Sequence, residues 1–142
     1  MINQGGFIEQ TGLQTGDRLI RQKGPFSSHH VIFVQTSNGP LVAENQAGKG
    51  VQYVTLEDFL RNAGTGTIQI QKFSGTEADR QAVISRINAL IGTSYNLVNF
   101  NCEHFAELIQ TGVAVSKQVG AAVLSALLIG ICLAIAGGRK RR

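Results

Sequence analysis

The chain has 142 residues, 43 % of them hydrophobic and 15 % charged, with 13 Lys and Arg against 9 Asp and Glu. That length predicts a single folded unit, the apolar share excludes a disordered tail protein, and two cysteines exclude a disulfide-stapled secreted fold. The net charge of +4 resides entirely in Arg139, Lys140, Arg141 and Arg142. The remainder is neutral, so the sequence pI near 9.4 reports a basic end and gives no sign of a nucleic-acid partner.

Residues 1–16 contain no basic stretch followed by an apolar run, so no signal peptide is read there. The soluble part is therefore expected to stay on the side where it is made, the cytoplasm. Short apolar runs separated by turn residues predict strands over 18–22, 31–35, 41–44, 52–54 and 67–73. The Asn38-Gly39 pair marks a hairpin turn between the second and third. Thr55-Leu-Glu-Asp58 has the form of a helix start for a short helix through Leu60. Thr76, with Asp79 three residues on, opens a longer helix with Val83, Ile84, Ile87, Leu90 and Ile91 on its apolar face, closed by Gly92. A last soluble helix begins near Asn101, buries Phe105, Leu108 and Ile109, and closes around Gly112. Strands first and helices after them predict a small α+β domain over residues 1–112.

Residues 113–142 read differently. Residues 118–138 carry no charge and only Gln118 and Ser125 are clearly polar. As a helix this run would reach about 30 Å, the thickness of a bilayer's hydrocarbon core, and it lacks the polar stripe that a buried core helix normally keeps. A C-terminal transmembrane helix with a basic flank is the expectation. Ala122, Ala126, Gly130, Ala134 and Gly138 recur every four residues, a small-residue face for helix–helix self-association. Orientation stays open, because the positive-inside rule would keep the basic end in the cytoplasm whereas a simple tail anchor would translocate it.

Cys102 is the one thiol in the soluble part and follows Asn101, a favoured helix cap. The N–H groups and dipole of a helix N-terminus stabilise a thiolate there. A cysteine nucleophile also needs an imidazole to take its proton and return it to a leaving group. His104 lies two residues further along the same helix and projects away, which makes it structural or a surface group. His29 and His30 open the strand Val31-Ile32-Phe33-Val34, and alternation sends only one of them to the sheet face carrying the helices. A third group must orient the imidazole, and Glu44, Asn45 and Gln46 end the neighbouring strand. No cysteine or histidine pair has zinc-type spacing and no phosphate-cradling glycine motif occurs, so neither metal nor cofactor is expected.

In this order the pieces resemble the lecithin:retinol acyltransferase-like (LRAT) family, a circularly permuted relative of the NlpC-type papain-like cysteine enzymes. Asn101-Cys102-Glu103-His104-Phe105 is similar to the family's box around its nucleophile, with Tyr95-Asn96 upstream and Gly112 downstream in place. Gly16-Asp17 followed by His29-His30-Val31-Ile32-Phe33-Val34 is similar to the family's His-x-x-Ile-Tyr-Val strand. The resemblance covers about residues 13–112 and implies a permuted papain-like fold, with a small antiparallel sheet packed on helices. It implies Cys102 as nucleophile and His29 as base, with His30 where the family is usually aromatic. Acyltransferase members carry a second histidine after the next strand. Here Glu44 falls closest, and a gap of one selects Asn45 instead.

The resemblance thus implies a membrane-anchored thiol acyltransferase or phospholipid acyl hydrolase acting through Cys102, His29 and Glu44, with a thioester intermediate and an acyl lipid as substrate. Two other readings stand beside it: an NlpC-type amidase or peptidase acting on an amide, and a non-catalytic membrane-anchored interaction protein.

Overall fold

A computed structural model describes residues 3–113. The chain runs α1 (Gln4–Thr11), β1 (Arg18–Gly24), β2 (Ser27–Thr36), β3 (Gly39–Gln46), β4 (Gly50–Thr55), α2 (Leu56–Ala63), β5 (Ile68–Gln71), α3 (Glu77–Leu90) and α4 (Cys102–Thr111). The five strands form one antiparallel sheet in the order β4-β3-β2-β1-β5.

Both faces of this sheet are covered, which explains why β2 reads as a continuous apolar run. Ile32, Val34, Ala43 and Val51 pack on Val83 and Ile87 of α3 and on Phe105, Ala106 and Ile109 of α4. On the opposite face Leu19, Val31, Phe33 and Val42 pack on Leu13 and on Leu56, Phe59 and Leu60 of α2, with Phe7 and Ile8 of α1 partly buried beside them. The expectation of one helix-bearing face is therefore corrected, and so is the order of strands first and helices after. The α1 helix has too few apolar residues to show a periodic face. Its Asn3 cap, which accepts from Gly5 N, and the left-handed Gly12 define its ends.

The remaining boundaries differ from expectation at strand ends. β2 begins at Ser27, so the two histidines lie inside the strand instead of opening it. β5 spans Ile68–Gln71, shorter than the expected 67–73, because Phe73 leaves the sheet: its N–H bonds Asp17 Oδ1 (2.8 Å) and Arg80 lies over its ring. The α2, α3 and α4 helices start at the expected caps, Thr55, Thr76 and Asn101, and α4 closes at a left-handed Gly112. Among the described residues no helix is long and apolar enough to cross a membrane. The expected span over 118–138, its small-residue face, its orientation and its basic flank lie outside the described residues.

Two contacts tie β4 to the segment that leads into α4: Val51 N donates to Thr93 O (2.9 Å) and Gly92 N to Val51 O (3.0 Å). Gly50 makes this approach feasible, since its φ is +75° and a Cβ there would run into the Thr93 carbonyl oxygen. Gly50→Ala is expected to lower unfolding stability by at least about 2 kcal/mol, read as a lower urea midpoint with unchanged slope.

Candidate active site

The site is built where β2 and β3 part. Their pairing runs from Thr36↔Gly39 to Val31↔Glu44 and stops, although β2 extends back to Ser27 and β3 forward to Gln46. Past that point β3 pairs only with β4, through Asn45↔Val51 and Gln46↔Gly50. The β2 backbone at Ser28 and His30 thus loses its partner on one side, and the first turn of α4 occupies the gap. Asn45 secures it there, its Nδ2 donating to Phe100 O (2.8 Å) and Asn101 O (3.4 Å). Cys102 Sγ lies 3.6 Å from Ser28 O and also receives the His30 N–H.

This fork explains how a cysteine from the α4 side meets a histidine from the α2 side. His29 shares its face with Val31, Phe33 and Glu44, whereas His30 shares the α4 face with Ile32 and Val34. Glu44 Oε2 lies 2.8 Å from His29 Nε2, and Glu44 Oε1 accepts from Gln52 Nε2 at 2.8 Å. With Nε2 turned to Glu44, Nδ1 is the nitrogen left for the thiol, and each of His29 and Cys102 shifts the other's pKa toward its charged form. His29 is 2 % and Glu44 6 % exposed, while Cys102 is half-buried and is the member of the set that meets solvent.

The electrostatics follow from that chain of contacts. Burial pushes the Cys102 thiol up, but the His29 hydrogen bond, the His30 N–H and the charges of His29 and Lys23 outweigh it and bring the thiol below its ordinary value of 9.0. Burial pushes His29 down, and the Cys102 and Glu44 partners reverse this, raising it above 6.5. Glu44 is likewise pushed up by burial and brought below 4.5 by hydrogen bonds from His29 and Gln52. A depressed thiol beside a raised imidazole shifts the balance toward the thiolate–imidazolium form, and the carboxylate favours the imidazolium. In stability terms the Glu44 contribution is present above pH 4.5 and is lost as pH falls through the lowered folded value. That of His29 is full below pH 6.5 and is lost as pH rises through the raised one.

His30 and His104 do different work. His30 Nε2 pairs with Ser28 Oγ (3.0 Å), and burial together with the Arg18 guanidinium lowers its pKa, which keeps it neutral. His104 is buried in the α4 cap: Asn101 Oδ1 accepts from Glu103 N (3.0 Å) and His104 N (2.9 Å), and His104 Nδ1 accepts from Asn101 N (3.4 Å). It is structural, as its position on the helix implies. The sequence left Glu44 and Asn45 open as partners of His29; the structure puts Glu44 against the imidazole and Asn45 against the α4 entry. Gln46 lies at the end of β3, outside this chain of bonds. Gln52 was missed as a site residue, and the hairpin register that sets it opposite Glu44 is the signal that finds it. No cluster of three or more His, Cys, Asp or Glu able to hold a metal occurs among the described residues.

Compared with known protein families, residues 12–115 match the family described as lecithin retinol acyltransferase. The chain belongs to this family. No match is found among curated proteins or among solved structures. This family is generally acyltransferase- or hydrolase-like.

The ion pair sets a measurable pH dependence. Alkylation of Cys102 by iodoacetamide is expected to titrate below the ordinary thiol value of 9.0. Glu44→Gln, which keeps a hydrogen-bonding side chain but removes the balancing charge, is expected to move that midpoint up. Alkylation should then slow by about tenfold for each pH unit by which the midpoint rises above the pH of the assay. A midpoint unchanged by the substitution would separate Glu44 from the thiol's chemistry.

Proposed function

We propose that the protein is a membrane-anchored thiol acyltransferase or acyl hydrolase acting on the ester bond of an acyl lipid. The observation that carries this reading is the buried Glu44–His29 pair (2.8 Å) with Cys102 Sγ against the backbone of the residue before His29 (3.6 Å to Ser28 O) and its thiol depressed by the imidazole. The Cys102 thiolate attacks the ester carbonyl carbon and forms the S–C bond. As the C–O bond breaks, imidazolium His29 gives its proton to the leaving alkoxide, and the acyl group remains on sulfur as a thioester. Water or an acceptor amine or alcohol then attacks the thioester, its proton passing to His29 while the thiolate leaves. Glu44 holds the ring orientation and supports the charged imidazole in both half-reactions.

Helix geometry supports the same chemistry. The Asn101 cap takes the Glu103 and His104 N–H groups and leaves the Cys102 N–H outside the cap. That donor, at the positive end of the helix, is placed to stabilise the oxyanion, an effect on the order of 3 kcal/mol where such donors have been removed. The reading of the substrate as a lipid rests on family membership and on the uncharged run 118–138 with its basic end, which would hold the site at a bilayer surface and raise the local concentration of lipid.

Purified full-length protein incubated with phospholipid vesicles should release fatty acid and lyso-lipid and carry an acyl mass on Cys102. Cys102→Ala should abolish both, and His29→Ala should lower the rate by on the order of 10²–10⁴-fold. Cleavage of amide substrates with no acyl release from lipid would instead favour the amidase reading. An alkylation midpoint of 9.0, with neither activity, would favour the non-catalytic one.

A further inference from the structure

We propose that the two loops bordering Cys102 form a wedge that inserts into the surface of a lipid bilayer, so that the folded unit docks its own site on the membrane. The proposal rests on the lipid-ester reading of the site. Phe26 stands on the turn between β1 and β2 and is 94 % exposed, and Leu97 and Val98, in the segment between α3 and α4, are 70 % and 58 % exposed. They are three of the five large apolar side chains left exposed among the described residues. Water-facing apolar groups of this kind are individually ordinary, but grouped around a reactive centre they mark an interaction surface.

Their placement links them to one atom. Phe26 is two residues from Ser28, whose carbonyl oxygen is 3.6 Å from Cys102 Sγ. Leu97 O accepts from the Nδ2 of Asn101, the residue that caps the helix of Cys102 (3.0 Å). The thiol's charge is also felt from both loops, by Lys23 beside the first and by Tyr95 in the second. Neither loop tip is exposed merely by being loose. Asn96 and Phe100 exchange both backbone hydrogen bonds (2.8 Å each), and Asn96 Oδ1 accepts from Val98 N (3.0 Å) and Asn99 N (2.8 Å), so Leu97 and Val98 are held outward at the tip of a closed turn. Pro25 fixes φ beside Phe26.

Charge selects the bilayer as the occupant. No acidic residue occurs between Asp17 and Glu44 or between Asp79 and Glu103, the two stretches that supply both loops, while Lys23 precedes Phe26. Apolar tips with Lys23 beside one of them and no carboxylate in either loop match an anionic lipid surface, which accepts separate side-chain wedges without a complementary groove. The chain past residue 113 contains the uncharged run 118–138 followed by four basic residues, which is the composition of a segment that keeps a bilayer within reach.

The chain has no Trp, so Phe26→Trp in the full-length protein supplies the sole indole emitter, with Gln35→Trp at the far end of β2 as the control. On phosphatidylcholine–phosphatidylserine vesicles the Phe26→Trp emission should shift to the blue and lose most of its intensity to brominated acyl chains, whereas the Gln35→Trp emission should change in neither respect. Emission at position 26 that lipid leaves unchanged, or equal changes at both positions, would overturn the proposal. So would emission already shifted before lipid is added, which would mean that the chain's own apolar run covers the loops. Acyl release measured on the same samples separates the two ideas: insertion without release counts against the lipid-ester reading alone, and release without insertion counts against the wedge alone.

Discussion

The end of β2–β3 pairing at Val31↔Glu44 is the constraint on which the site depends. In an unbroken antiparallel sheet the backbone of Ser28 and His30 would be occupied by β3, and side chains on opposite faces could not meet through it. Parting the strands turns a ladder position into a seat for a helix N-terminus. The seat is then satisfied by polar groups and not left empty: the Asn45 amide reaches the carbonyls before α4, and the sulfur of Cys102 takes the position beside Ser28 O and His30 N. The reactive group thereby sits at the edge of two cores, one built on α3 and α4 and the other on α1 and α2.

Burial then decides the electrostatics. A nearly dry His29–Glu44 pair is costly to desolvate, and each partner's burial opposes its charged form. Opposite charge and hydrogen bonds win because both carboxylate oxygens are used, one by His29 and the other by Gln52. Cys102 benefits without being fully buried, so its thiolate remains reachable. Glu44 sets a formal negative charge against the ring, and that charge supports the imidazolium directly.

Much of this was legible in the sequence because it rests on local chemistry. Asn101, Thr55 and Thr76 cap helices through their own side chains, and Cys102 directly follows its cap, whereas the hairpin turns at Ser37-Asn38, one residue before the Asn38-Gly39 pair that the sequence suggests. The resemblance already put Glu44 closest to the partner's position, and the fold sets it opposite Val31 and against His29. What escaped depends on contacts distant in sequence. The α1 helix is fixed by packing on the α2 side instead of by its own periodicity, and the face of each histidine becomes functional only once the fork is known. The choice between Glu44 and Asn45 was open for the same reason: adjacent residues on a strand point to opposite faces, and only the tertiary fold says which face holds the imidazole.

The central claim is that Glu44 and Cys102 raise the His29 imidazole, so that the ring carries the site's proton. Ring-nitrogen NMR of His29 across a pH titration tests it most directly. The account predicts a native ring that titrates above 6.5, and a lower titration point in Glu44→Gln. A native His29 that titrates at or below 6.5, with no change on that substitution, would contradict it.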